Sequence, residues 1–240
     1  MFDKLGSFFS SLVSGKGTSQ SAKPAIRFQP YASNETNAIY NSLFLDDIEL
    51  LRPGGKLEGP WKVIFSKNPT IESLKSLTSD PDTRIRLLAY GALRKSGIAN
   101  DKDVLGVVVE VGTSEGLYSL AIYKDFYVKY ITETGKVLIG ETSDNAINEK
   151  VQGLLSISQK IIGKAETWNQ PRQSPPPDGE FRITFLASDG TYLGQGKLAE
   201  IKNDLVASTM IRQAGEIMTA IARKAKESEQ PANSTPAKAA

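Results

Sequence analysis

Residues 104–141, VLGVVVEVGTSEGLYSLAIYKDFYVKYITETGKVLIGE, decide the fold of this chain. Four segments in this stretch are rich in β-branched and aromatic residues, and they alternate in polarity or run almost wholly apolar, as β-strands do. They cover residues 104–111, 117–124, 126–132 and 136–141. Connections of only a few residues place successive strands antiparallel. The stretch therefore predicts a four-stranded antiparallel meander.

The residues after the meander predict a helix, a β-hairpin and a long final helix. Apolar residues recur at helical spacing across 145–164 and again across 203–225, where Asn203 is the expected N-cap. Between these helices, residues 181–201 contain two extended segments around an Asp-Gly turn, which is a strong hairpin signal. We expect the helix at 145–164 to pack on one face of the meander.

Helical patterns dominate the residues before the meander. Apolar positions at spacings of three and four predict a helix over 34–51, whereas residues 56–66 are typical of an extended segment interrupted by Gly-Pro. Residues 70–98 predict a helical hairpin broken at an Asp-Pro pair. Its second half, DPDTRIRLLAYGALRKSGI, resembles one unit of the HEAT-like helical repeats. Because no second copy follows, we expect a single local hairpin and not a repeat protein.

Together these elements predict an α+β fold with a mixed or antiparallel sheet of about six strands. The order of the elements is similar to that of small roadblock, longin and profilin-type sandwiches, a likeness of architecture that implies nothing about function. The expected organisation is an amphipathic helix at 1–13, a flexible linker at 14–28, a mainly helical section at 29–100, the β-meander plus helix at 101–168, a Pro-rich linker at 169–179, a β-hairpin plus long helix at 180–226 and a disordered tail at 227–240.

The composition excludes many kinds of catalysis, because the 240 residues include neither cysteine nor histidine. Disulfides, thiolate nucleophiles, Cys/His zinc sites and Ser-His-Asp triads are therefore absent. The acidic group of Asp46, Asp47 and Glu49 is better explained as solvated charge than as a metal site, because neighbouring carboxylates on a helix point in different directions. The sequence contains no phosphate-binding glycine loop or nucleophile elbow. We assign no catalytic, metal-binding or cofactor-binding residue, and we expect no cofactor.

The charge of the chain is concentrated at its two ends. The formal net charge is +2, but residues 1–28 carry +3 and residues 223–240 carry +2, so the remaining body carries −3. Nucleic-acid binding depends on neutralising phosphates with clustered Lys and Arg side chains. We therefore do not expect a nucleic-acid partner.

The first thirteen residues predict a short amphipathic helix, followed by a flexible Gly/Ser-rich linker. It has no unbroken apolar run and no cleavage site of a signal peptide, and it is too short to span a bilayer. Three roles remain open: a peripheral anchor on an anionic membrane surface, a docking peptide for a groove on another protein, or packing on its own domain. The residues expected to contact a partner or a membrane are Phe2, Leu5, Phe8, Phe9 and Leu12.

The meander holds a second set of candidate residues. Glu110 interrupts an apolar run, and we expect it to face solvent on an edge or half-exposed strand; if it were buried, Lys129 or Lys136 would be its expected partner. Aromatic residues interleaved with lysines could form a stacking platform. The candidate ligand surface consists of Glu110, Tyr118, Tyr123, Tyr127 and Lys129.

These observations favour a non-enzymatic interaction or adaptor protein of a cytoplasmic assembly, with a protein partner and peripheral contact to a membrane surface as a further role of the N-terminal helix. Two alternatives stay open. One is a small-ligand-binding protein or an enzyme that uses carboxylates and tyrosines, and the other is an inhibitor of a single protein target. The sequence does not indicate an oligomeric state.

Overall fold

The computed structural model describes residues 27–140 and 144–229. The predicted N-terminal amphipathic helix with its contact residues Phe2, Leu5, Phe8, Phe9 and Leu12, nearly all of the predicted linker, and residues 230–240 of the predicted tail lie outside the described residues.

Six strands form one antiparallel sheet in the order β4-β3-β2-β1-β5-β6. This confirms the predicted α+β fold with an antiparallel sheet of six strands. The meander supplies four of the strands and the hairpin supplies two, and the two parts are joined where β5 pairs with β1. The strands are β1 (Val104–Thr113), β2 (Gly116–Tyr123), β3 (Val128–Ile131), β4 (Val137–Gly140), β5 (Glu180–Ala187) and β6 (Gly190–Lys197).

Helices cover both faces of this sheet. One face packs against the two long helices that follow β4 and β6, and the other packs against the first helix and its neighbours. None of the described helices is long and apolar enough to cross a membrane. The helices are α1 (Asn34–Ser42), α2 (Gly59–Ile64), α3 (Ile71–Leu77), α4 (Thr83–Lys95), α5 (Asn145–Ile162) and α6 (Leu205–Glu229), with short 3-10 helices at Ile48–Leu51 and Leu198–Asn203.

The central strand β1 explains the apolar run in the deciding stretch. Val107 and Val109 belong to the core under α5 and α6, whereas Val108 belongs to the core under α1. A strand that is buried on both faces reads as a nearly continuous apolar run instead of an alternating one. The Pro-rich segment at 169–179 leads from α5 into β5, and at its end Gly179 N donates a hydrogen bond to Gly112 O of the neighbouring strand β1 at 3.1 Å.

The helix predicted over 34–51 is interrupted in the structure. α1 ends at Ser42, and only the 3-10 helix at Ile48–Leu51 follows. Leu45 between them has a φ of 56°. This left-handed conformation is incompatible with a continuing right-handed helix.

The extended segment predicted at 56–66 is wrong, because Gly59–Ile64 form the helix α2. Pro60 lies in the first turn of that helix, where its missing N–H removes no intrahelical hydrogen bond. The Gly-Pro pair therefore starts a helix here instead of interrupting a strand.

The start and end of α6 also differ from the prediction. Asp204, and not Asn203, caps the helix, since Asp204 Oδ1 accepts hydrogen bonds from Val206 N at 3.0 Å and Ala207 N at 2.9 Å. α6 continues to Glu229, so the first three residues of the predicted disordered tail are helical. The helical hairpin over 70–98 and the helix over 145–164 are confirmed as α3, α4 and α5.

Candidate functional site

A cleft of about 860 Å³ lies between the helical section and the hairpin end of the sheet. Its lining comes from the loop after α1, from α2 and α4, from the segment after α5 and from the β5–β6 turn. Residues far apart in the sequence meet there because β5 and β6 extend the sheet beside the helical section. Much of the lining is apolar, and it includes Phe44, Ile48, Ile64, Leu88, Trp168 and Leu186.

Helix α4 presents one face to the cleft. Leu88, Gly91, Ala92 and Lys95 recur at spacings of three and four, which places them on one side of a helix. Two of these residues are the smallest available, so this side of α4 leaves space for a ligand. A Cβ atom added to Gly91 would lie at ordinary contact distance, 3.7 Å, from the Arg94 side chain.

Arg94 is the half-buried cation of the cleft. Its Nη1 donates a hydrogen bond to Ser188 O at 2.5 Å, which holds the guanidinium against the β5–β6 turn. Its Nε and Nη2 make no hydrogen bond to any residue that the structure describes. Burial lowers the pKa of Arg94 below its ordinary value, and the negative charge of Asp189 partly opposes this shift. An additional anion would compensate the lost hydration of this cation.

The other charges give the cleft a positive excess. Lys67 and Lys95 are exposed, and neither forms an ion pair within residues 27–140 and 144–229. By contrast, Asp46 Oδ2 accepts from Arg172 Nε at 3.0 Å, and Asp189 Oδ2 accepts from the Tyr192 hydroxyl at 2.6 Å. One oxygen of each carboxylate thus accepts a hydrogen bond, whereas Asp189 Oδ1 is buried without a hydrogen-bond partner among the described residues.

A smaller pocket of about 100 Å³ continues the cleft and shares Phe44, Asp46, Trp168 and further lining residues with it. The guanidinium of Arg172 stacks over the Phe44 ring at 4.2 Å and closes this end. Trp168 N donates to Thr191 O at 2.6 Å, so the segment that carries the indole is attached to the first residues of β6. The site therefore combines the aromatic side chains of Phe44 and Trp168 with the cations Arg94 and Lys95 at the end of α4.

The expectation that Glu110 faces solvent is wrong, because the residue is buried and only 1% exposed. The Tyr40 hydroxyl donates to Glu110 Oε1 at 2.7 Å, and Arg182 lies opposite Glu110 in the β1–β5 pairing. Burial raises the pKa of Glu110, while Tyr40, Arg182 and Arg172 oppose that shift. These groups, rather than Lys129 or Lys136, balance the carboxylate. They come from α1, from β5 and from the Pro-rich segment.

The structure divides the predicted ligand surface between the two faces of the sheet. Tyr118 packs against the core under α5 and α6. Tyr123 lies on the opposite face, where it is buried and donates a hydrogen bond from its hydroxyl to Leu43 O at 2.8 Å. Tyr127 and Lys129 are half-buried neighbours on that same face, with the Lys129 ammonium 5.6 Å from the Tyr127 ring centre. The five residues do not form one continuous surface.

The residues of the cleft were not identified from the sequence. Arg94, Lys95 and Trp168 are ordinary residues in their local patterns, and only the small pair Gly91-Ala92 within an amphipathic helix indicates a surface that stays open. In the part of the chain that the structure describes, no group of three or more acidic residues is arranged to hold a metal ion.

The fold and the cleft define an α+β protein in which a six-stranded antiparallel sheet lies between two helical layers. No family model, curated protein or solved structure matches the chain.

Proposed function

We propose that the protein is a non-enzymatic adaptor of a cytoplasmic assembly, and that its N-terminal amphipathic segment docks to a protein partner. The observation that carries this proposal is the attachment of residues 27–31 to the folded body. Because of this attachment, the preceding segment is joined to the body at a fixed place. The residues expected to contact the partner are Phe2, Leu5, Phe8, Phe9 and Leu12.

The attachment is built from both backbone and side-chain contacts. Phe28 N donates to Asn41 Oδ1 at 2.9 Å, and Asn41 Nδ2 donates to Phe28 O at 2.8 Å. Arg27 pairs with Asp47 at 2.6 Å. The Tyr31 hydroxyl lies 2.9 Å from Ser119 Oγ on β2, which links this stretch to the sheet. These contacts hold residues 27–31 against α1, the loop after it and the sheet. The N-terminal segment directly precedes them in the chain.

The charge distribution supports a contact role for the N-terminal segment that the body does not share. Residues 1–26 carry a net charge of +2, whereas residues 29–222 carry −3. An anionic membrane would attract the segment and repel the body, so any membrane contact of this chain would be peripheral and confined to the segment. A protein groove would recognise the apolar stripe directly.

The buried carboxylate gives no support to the enzymatic alternative. The groups that shift the pKa of Glu110 are a hydroxyl and two guanidinium groups, and none is a second carboxylate. General acid–base catalysis by paired carboxylates needs two acidic groups in contact with one substrate. Glu110 is better explained as part of the packing between α1 and the sheet.

The test compares four forms of the chain: the full-length protein, a form that lacks residues 1–25, a Leu5→Asp/Phe9→Asp variant and a matched Ser7→Asp/Ser11→Asp control. Each is used for affinity capture from the native cells, with mass spectrometry of bound proteins, and for sedimentation with phosphatidylserine-containing vesicles. We expect specific proteins to be lost from the truncated form and from the apolar-face variant and retained by the control, which adds the same charge to the polar face. Capture that is unchanged by truncation would refute the proposal, and binding to vesicles alone would replace the protein partner with a membrane surface.

A further inference from the structure

We propose that the cleft between α4 and the β5–β6 turn binds an acidic amphipathic segment of a partner protein, whose carboxylates contact Arg94, Lys67 and Lys95. This interaction surface is separate from the N-terminal segment and goes beyond the docking function proposed above. The apolar half of the ligand covers the walls of the cleft, and its acidic half faces the cations.

The first argument is the unburied apolar edge of the cleft. No residue from Leu45 to Thr70 is fully buried, although this stretch contains Ile48, Trp61, Ile64 and several other large apolar residues. In a folded domain, a stretch of this composition normally contributes at least one side chain to a core. Ile48 and Ile64 of this stretch are only partly buried and line the cleft, and apolar surface that a folded protein leaves accessible marks interaction sites.

The second argument is charge complementarity. The Nε and Nη2 atoms of Arg94 and the ammonium groups of Lys67 and Lys95 form no hydrogen bond or ion pair with a carboxylate of the described residues, whereas Asp46 and Asp189 each accept a hydrogen bond at one oxygen. A guanidinium with two free donors suits the two oxygens of a carboxylate. Cations at the rim also increase the rate at which an acidic partner associates.

The third argument concerns the source of the ligand. Residues 1–26 contain three lysines and a single acidic residue, and residues 230–240 contain one lysine and no acidic residue. Neither segment supplies the carboxylates that the cleft lacks. The complementary occupant is therefore a segment of another protein.

The apolar lining of the cleft and the adjoining pocket favour a peptide over a small anion. A small anion at Arg94 would leave Ile48, Ile64 and Trp168 uncovered, and the adjoining pocket next to Arg172 would stay empty. A helical segment of about 12 residues presents apolar and acidic faces along its whole length. Such a ligand covers the apolar lining of the cleft and pairs with its cations at the same time.

The probe is a displayed library of random peptides of about 12 residues, selected against the full-length chain. We expect enriched peptides to combine at least two acidic residues with apolar residues spaced three or four apart. A synthetic copy of the strongest peptide is then titrated by fluorescence anisotropy. Arg94→Gln is expected to weaken its binding by about tenfold or more.

Because Arg94 also holds the β5–β6 turn, a second variant keeps the test independent of folding. Lys67→Glu/Lys95→Glu changes two exposed side chains and is expected to weaken binding by about tenfold, with the largest difference at low salt. Lys62→Glu/Lys75→Glu is the matched control, since Lys62 of α2 and Lys75 of α3 are exposed lysines that do not line the cleft. The control should bind like the unmodified protein.

Several results would overturn the inference. They are enrichment of neutral or basic peptides, affinity that is unchanged in Lys67→Glu/Lys95→Glu, displacement of the selected peptide by a peptide of residues 1–13, and thermal stabilisation by a small carboxylate such as citrate with no peptide binding. The form that lacks residues 1–25 should still bind the selected peptide. A failed N-terminal docking proposal and a failed cleft proposal thus give different results.

Discussion

The face of the sheet under α5 and α6 is covered by two long helices of 18 and 25 residues, whereas the opposite face is covered by the 9-residue α1, short helices and loops. The buried side chains that the sheet directs toward α5 and α6 are aliphatic or aromatic. On the other face, the sheet also buries Glu110, Ser119, Arg182 and Thr184. The first face is closed by simple apolar packing. The second depends on specific polar partners and leaves a cleft beside them, which is why both candidate functional features lie on that side.

The largest expected difference between the two faces is in the cost of removing a leucine. Leu154→Ala on α5 should lower the free energy of unfolding by about 3–5 kcal/mol, because Leu154 is fully buried and its loss leaves a cavity. Leu88→Ala at the cleft should cost less than about 2 kcal/mol, because that side chain is half-exposed. Chemical denaturation of both variants measures the difference. Equal losses would show that the cleft side is packed as tightly as the α5/α6 side.

A smaller effect is expected in the pH dependence contributed by Glu110. The folded state raises the pKa of this carboxyl above its ordinary value of 4.5, so at pH values above 4.5 the folded protein binds more protons at this site than the unfolded chain. Its contribution to stability is therefore greatest below that value and declines as the pH rises, by at most about 1.4 kcal/mol per pH unit. Glu110→Gln cannot titrate and keeps an acceptor for the Tyr40 hydroxyl.

The measurement for Glu110 is urea denaturation of the unmodified protein and of Glu110→Gln between pH 4 and pH 8. We expect the stability of the unmodified protein relative to the variant to fall across this range. A relative stability that rises with pH would mean that Arg182 and Arg172 outweigh burial, and that the polar side of the sheet holds an ionised carboxylate at low cost.

The smallest effect separates neighbouring residues at the start of α6. Asp204→Ala should lower the free energy of unfolding by about 1 kcal/mol, because it removes the acceptor for two backbone N–H groups of the first turn. Asn203→Ala should change it by less than about 0.5 kcal/mol, since Asn203 does not cap the helix. Thermal unfolding of both variants provides the comparison. A larger loss of stability in Asn203→Ala than in Asp204→Ala would show that Asn203 is the N-cap, as the sequence pattern predicts.

Most elements of the α5/α6 side were predictable because their signals are local. The strands of the meander and the hairpin, together with α5 and α6, follow from apolar periodicity, turn residues and short connections. The helical section was less predictable. The left-handed Leu45 ends a periodic pattern that would otherwise continue to Leu51, and Gly59-Pro60 is equally compatible with a break in a strand and with the start of a helix.

The candidate sites show the same division between local and long-range information. The interruption of an apolar strand by Glu110 is visible in the sequence, but Tyr40 is 70 residues away from it, and only the β1–β5 pairing identifies Arg182 as its neighbour. The cleft has no local signal, since Arg94 contacts a backbone oxygen of the β5–β6 turn 94 residues further along the chain.

The sequence by itself determined the class of the fold, the order of its strands and long helices, the absence of Cys and His chemistry, and the concentration of basic charge at the two ends. These properties depend on composition or on neighbours within a few residues. Only the tertiary structure decided that β5 lies beside β1, that Glu110 is buried against Tyr40, and that Arg94, Lys67 and Lys95 line one cleft. The physical reason is that strand pairing and side-chain burial depend on which distant segments the sheet brings together, and a local pattern of residues does not specify that choice.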